Sequence, residues 1–141
     1  MSPRGFTAGS LGEAFRRLIG RPPALQARPR TDVQRLVEEL EAQVNNGGFD
    51  QFFFNSAGNE SEPTIRALEA IGAIRTAAIV RRACARFPGG MPPADWSARQ
   101  ELLERVSPDS EAFEEEDAEF YEYNEDLAAL VAAHDAGTGK S

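Results

Sequence analysis

The chain has 141 residues, 41% of them apolar, and a formal net charge of −8. That length suits one domain with its own core, and no apolar run approaches the roughly 18 residues needed to cross a bilayer. The opening MSPRGFTAGSLGEAFRR lacks the apolar stretch of a secretory signal, and the single cysteine, Cys84, excludes an internal disulfide or a multi-cysteine metal site, so a cytoplasmic setting is expected.

The charge is divided along the chain. Residues 1–30 carry six arginines and one acid, whereas residues 107–141 carry eleven acids and one base, Lys140. Such a division bears on partners, or on one end meeting the other, rather than on fold. The prolines of GRPPALQARPR interrupt helix, so residues 1–30 are expected to form a poorly ordered, flexible basic arm with at most a short helix at 10–19.

Thr31 and Gln34 form a capping-box pattern, and Val33, Leu36, Val37, Leu40 and Val44 follow at helical spacing. Gly47 is the expected left-handed stop. Next comes GFDQFFFNSAGN, in which Phe49, Phe52 and Phe53 share one helical face. Burial of such rings is worth roughly 1.5–3 kcal/mol each, which is a core role. Asn45, Asn46, Asn55 and Asn59 are residues that bond nearby backbone in turns.

A second helix is expected from Ser61, read as its cap, through Leu68, Ile71, Ile74, Ala78 and Ile79 to Phe87, with Gly72 permitting a break or a close crossing. After a Pro/Gly loop, a short helix is expected at 95–106. One last long helix is expected from between Ser107 and Ser110 to about His134, because Phe113, Phe120, Leu127 and His134 recur every seven residues. No strand pattern is present. The expectation is an all-α, single compact multi-helix domain over 31–135, with a tail at 136–141.

No constellation supports catalysis. Ser56 and Asp50 in the phenylalanine stretch have no histidine beside them, Cys84 and His134 lack an orienting third group, and both fit helix faces as structural residues. A di-iron motif fails because Val131 stands three before His134, and a calcium loop fails because no glycine lies between 91 and 136. GTGKS at 137–141 lacks the first glycine of a phosphate loop. The chain is therefore read as non-enzymatic, without cofactor or metal. An alternative places a ligand or substrate pocket near Asn55, Ser56 and Tyr121.

The acidic run is the stronger functional candidate. Glu111, Glu114, Glu115, Glu116, Asp117, Glu119, Glu122, Glu125 and Asp126 place nine carboxylates in sixteen residues. On one helix these would extend about 24 Å, or one charge per ~2.7 Å, against ~1.7 Å for duplex DNA. Acids also favour a helix N-terminus through its macrodipole, so the run has a reading without any partner. Arginines at 66, 75, 81, 82 and 86 weaken a uniformly DNA-like field and could pair with it.

The block NGGFDQFFFNS, followed by ALEAIGAIRTAAIV and the acidic FYEYNEDLAALVAAH, resembles the DNA-mimic protein 19 family of small bacterial proteins over about 33–134. The resemblance implies an all-α fold. For the member that gives the family its name, it also implies a homodimer whose acidic surface occupies the DNA-binding face of a transcription regulator, with no catalytic motif. The expected partner is thus a basic protein such as a DNA-binding regulator, met through the nine acids, with no direct nucleic acid binding and no membrane.

Overall fold

The computed structural model describes residues 30–139 and is all-helical there: α1 (Asp32–Phe54), a 3-10 turn (Ser56–Glu60), α2 (Ser61–Ala70), α3 (Ile74–Ala85), a second 3-10 turn (Pro88–Gly90), α4 (Trp96–Val106), α5 (Glu114–Tyr121) and α6 (Leu127–Gly139). Apart from Arg30, the expected basic arm and its short helix lie outside the described residues. No described helix is long and apolar enough to cross a membrane.

The Thr31 hydroxyl accepts from the Gln34 N–H at 3.0 Å, as the cap pattern expects. Gln34, however, turns its amide to Glu38 rather than back to the cap. α1 is not stopped at Gly47. It kinks there, and the left-handed residue is Gly48 (φ 74°). The chain then resumes its helix in a new direction, which drives Phe49, Phe52 and Phe53 into the core, all within 1% of complete burial. Phe53 sits at the centre, with ring centroids 4.9 Å from Phe87 and 5.2 Å from Phe113. Phe49 meets Phe120 edge-on at 5.9 Å, a favoured arrangement of ring quadrupoles.

The asparagines around this plug act mainly through side chains, not through the local backbone bonds expected of them. Asn45 donates to the Tyr123 hydroxyl, Asn46 to Gln51 and Asn55 to Gln43, while Asn59 accepts from Arg99. Ser61 is not a cap acceptor either: its hydroxyl donates to the Gly58 carbonyl, because the 3-10 turn already delivers the chain into α2.

Gly72 (φ 85°) does break the second helix. The break rotates α3 relative to α2, so Ile74 is 59% exposed and Ala78 is exposed, while Thr76, Ala77, Val80 and Cys84 turn inward. α4 matches the expected 95–106 helix, with the Asp95 carboxylate accepting from the Ala98 N–H at 2.8 Å.

The expected last long helix is two helices. α5 ends at Tyr121, residues 122–126 form a link with Tyr123 at φ 47°, and the Asp126 carboxylate caps α6 by accepting from the Ala129 N–H. Phe113, Phe120 and Leu127 are still buried, so the seven-residue seam persists across a break that it does not reveal. α6 extends to Gly139, past the expected end near His134.

Two polar groups lock this arrangement. Arg99 on α4 is completely buried and donates to five oxygens: the carbonyls of Phe53 (2.7 Å), Pro93 (3.0 Å), Ala94 (3.1 Å) and Asn55 (3.0 Å), and Oδ1 of Asn59 (2.7 Å). A guanidinium has five N–H groups, so every one is used. Burial pulls the Arg99 pKa below its usual value, with the Asp95 carboxylate opposing. On the other side of the plug, Asp117 of α5 accepts from the Phe49 N–H at 2.8 Å. That bond joins the acidic run to the aromatic stretch.

Candidate interaction surface

The nine carboxylates do not form one charged face. Glu116 is 2% exposed, and its two oxygens accept from Nε and Nη2 of Arg86, each at 2.9 Å. Arg82 lies against Glu116 at 4.0 Å and pairs directly with Glu119. Asp117 faces the core side of α5, where burial raises its pKa. The Phe49 N–H bond opposes that rise, and Asp50, Glu116 and Glu114 reinforce it.

Glu125 faces inward for a different reason. The first turn of α3 has no side-chain cap of its own, and Glu125 supplies one from the link. Its oxygens accept from the Arg75 N–H (2.9 Å), the Thr76 N–H (2.8 Å) and the Thr76 hydroxyl (2.7 Å). Burial pushes the Glu125 pKa up, but these bonds outweigh it and hold the carboxyl below its ordinary value. An acid at a helix N-terminus is also favoured by the macrodipole.

Arg82 at the end of α3 and Arg86 just beyond it thus pair with the acidic run inside the fold, while Arg81 turns to Glu69 of α2. Glu111, Glu114, Glu115, Glu122 and Asp126 remain exposed. Of these, Glu115 also meets Arg86 at 3.2 Å, and Asp126 also caps α6. The spacing of one charge per ~2.7 Å belongs to an unbroken helix, which the link at 122–126 interrupts. The wider surface is nonetheless strongly negative: between residues 30 and 139, twenty-two acids stand against nine arginines, a net of −13.

The residues of the alternative pocket are bonded separately. Asn55 donates to Gln43, and its carbonyl takes Arg99, while Ser56 is exposed at the start of the 3-10 turn. The Tyr121 hydroxyl donates to the Val44 carbonyl at 2.8 Å. A groove of about 710 Å3 does exist, between the second half of α1 and α4, but Asp50, Phe54, Glu101, Leu103 and Glu104 line it rather than those three. The signal missed in the sequence was Phe54, the one phenylalanine of the stretch off the shared face.

Cys84 is buried, and burial pushes its thiol up to about 12 despite the nearby Arg81. A thiol so placed stays protonated near neutral pH and is a poor nucleophile. Among the described residues, no group of three or more histidine, cysteine, aspartate or glutamate side chains is placed to hold a metal ion.

A family model described as DMP19-like protein matches residues 33–136, the span that contains the aromatic plug, Arg99 and the acidic run. The chain belongs to the DMP19-like protein family. No curated protein and no solved structure matches it.

Proposed function

We propose that this member of the DMP19-like family is a non-enzymatic interaction protein whose acidic surface around α5 binds a basic protein surface, such as the DNA-binding face of a transcription regulator, in the place of nucleic acid. The observation that carries the proposal is the set of five exposed carboxylates, Glu111, Glu114, Glu115, Glu122 and Asp126, on a body of net charge −13. Complementary charge of this kind speeds encounter and selects partners. Glu116, Asp117 and Glu125 contribute field but are held by the fold. A cytoplasmic setting, the default for this composition, and a homodimer, which the family resemblance implies, belong to the same proposal.

The division between exposed and held acids sets the test. The full chain and its E114K/E115K/E122K variant are used as bait for basic proteins at two salt concentrations. Salt-sensitive capture by the native chain, lost in a variant of unchanged melting temperature, supports the proposal. Equal capture by both at physiological salt sinks it.

A further inference from the structure

The groove between α1 and α4 combines features that the acidic run lacks. Asp50, Glu101 and Glu104 stand on a wall that includes Phe54 and Leu103, and no arginine or lysine lines it. Among the described residues, neither Glu101 nor Glu104 has an ion-pair partner. On α5, Glu116 and Glu119 are paired with Arg86 and Arg82, whereas Glu101 and Glu104 in the groove are exposed, and Asp50 is partly buried with a hydrogen bond from Ser107. Phe54 (53% exposed) lines the groove, and Trp96 (50%) stands at its edge, next to the lining residue Ser97. The Trp96 indole N–H donates to the Phe54 carbonyl at 2.8 Å, which holds the indole against the α1 backbone at that residue.

We propose that this groove docks an arginine-bearing segment of a partner protein. An arginine carries an apolar stem and a planar cation. The stem suits Phe54 and Leu103, and the guanidinium suits carboxylates and an aromatic face together. A volume of about 710 Å3 is within the ordinary range for a bound ligand and exceeds what one side chain needs. The groove reaches Ser110, the residue before Glu111, so a partner lying along the acidic run would bring its flanking segment to it. The proposal rests on the reading of the chain as a partner of basic proteins and adds a contact point, with its own chemistry, outside the nine acids.

Trp96 is the chain's single tryptophan; it stands at the edge of the groove, next to the lining residue Ser97 and bonded to the Phe54 carbonyl, so its emission reports on the groove. The full chain is titrated with a short tryptophan-free peptide carrying two arginines between alanines, and binding is followed by Trp96 emission and by calorimetry. The expected result is a saturable emission change, with affinity weakened about tenfold in E101Q/E104Q and less in E114Q/E115Q/E122Q. Loss confined to the second variant overturns the groove and leaves the proposed function standing. So does binding that leaves Trp96 emission unchanged. Emission that shifts when the protein alone is diluted identifies a second copy in the groove and also overturns the assignment. An intact groove titration with failed capture of basic proteins by the native chain would instead count against the acidic run.

Discussion

Arg99 Nη2 lies 2.7 Å from Oδ1 of Asn59, forty residues earlier in the chain. This bond and those to the Phe53 and Asn55 carbonyls hold the end of the aromatic stretch against α4, while the bonds to the Pro93 and Ala94 carbonyls hold the loop that leads into it. The end of the run of phenylalanines and amides, through the Phe53 and Asn55 carbonyls and Asn59 Oδ1, thereby supplies part of a buried cation's coordination shell. Replacement of Arg99 by Met retains much of the volume and removes every donor. The four carbonyls and Asn59 would then be partly orphaned, at about 1–3 kcal/mol for each acceptor that water cannot reach. Arg99→Met should therefore lower stability by at least about 3 kcal/mol in urea unfolding. A loss below about 1 kcal/mol would show that the shell reorganises or hydrates.

The glycines of the chain should separate by what surrounds them. A Cβ built at Gly58 would lie 2.7 Å from Arg99 Nε and 2.8 Å from the Phe52 carbonyl, whereas at Gly72 nothing stands within 4 Å. Gly72→Ala meets only the cost of a left-handed conformation, about 1–2 kcal/mol. Gly58→Ala must push backbone apart and should cost more than Gly72→Ala. Thermal melts of the two variants check the order, and a reversed order would contradict the close approach at Gly58.

Acid should unfold the protein partly through Glu125. Its carboxyl is held below its ordinary value in the fold, so its stabilisation is present above the unfolded-state pKa, about 4.3. That stabilisation is lost as pH falls through the lower, folded pKa. Glu60, lowered by its hydrogen bonds from Arg35, acts with the same sign. Glu125→Gln keeps an acceptor oxygen and removes the titration. Its stability profile between pH 2 and 6 should be shallower than that of the native chain, and parallel profiles would show that Glu125 has no part in acid unfolding.

Neighbouring glutamates should behave differently. Glu116→Ala leaves Arg86 without its bidentate partner and opens a gap beneath α5, so a loss of about 1–3 kcal/mol is expected. Glu114→Ala, at an exposed position, should stay within about 0.5 kcal/mol. Denaturant midpoints of the two variants decide it, and equal effects would mean the Arg86–Glu116 pair contributes little.

Much of the fold was legible because the signals were local. The cap at Thr31 and the shared face of Phe49, Phe52 and Phe53 follow from spacing and residue type, whereas at Gly72 the residue type allowed a break or a crossing, and the stripe expected through Ile74 and Ala78 failed with the break. The break between α5 and α6 was not legible, since Phe120 and Leu127 are buried on both sides of it and keep a seven-residue period. The available signal was Asp126, a cap-forming residue directly before an apolar run. Arg99 was also hidden, because an arginine in SARQELLERV reads as surface until Phe53 and Asn59 are brought to it from another helix. The same limit applied to the acids. Composition counts carboxylates, but only the positions of Arg82, Arg86 and Thr76 show which ones face inward.

The Phe49 N–H bond to Asp117 crosses from α1 to α5. It ties one acid of the run to the backbone of the aromatic stretch, as the Arg86 and Thr76 contacts tie Glu116 and Glu125. In an alignment of family members, positions 117, 116 and 125 should then vary together with the helices they join, whatever each protein binds. Positions 111, 114 and 122 carry no such obligation and are free to follow a partner. Two selective histories would thus be interleaved within sixteen residues, and a relative that had lost its partner would still look acidic there.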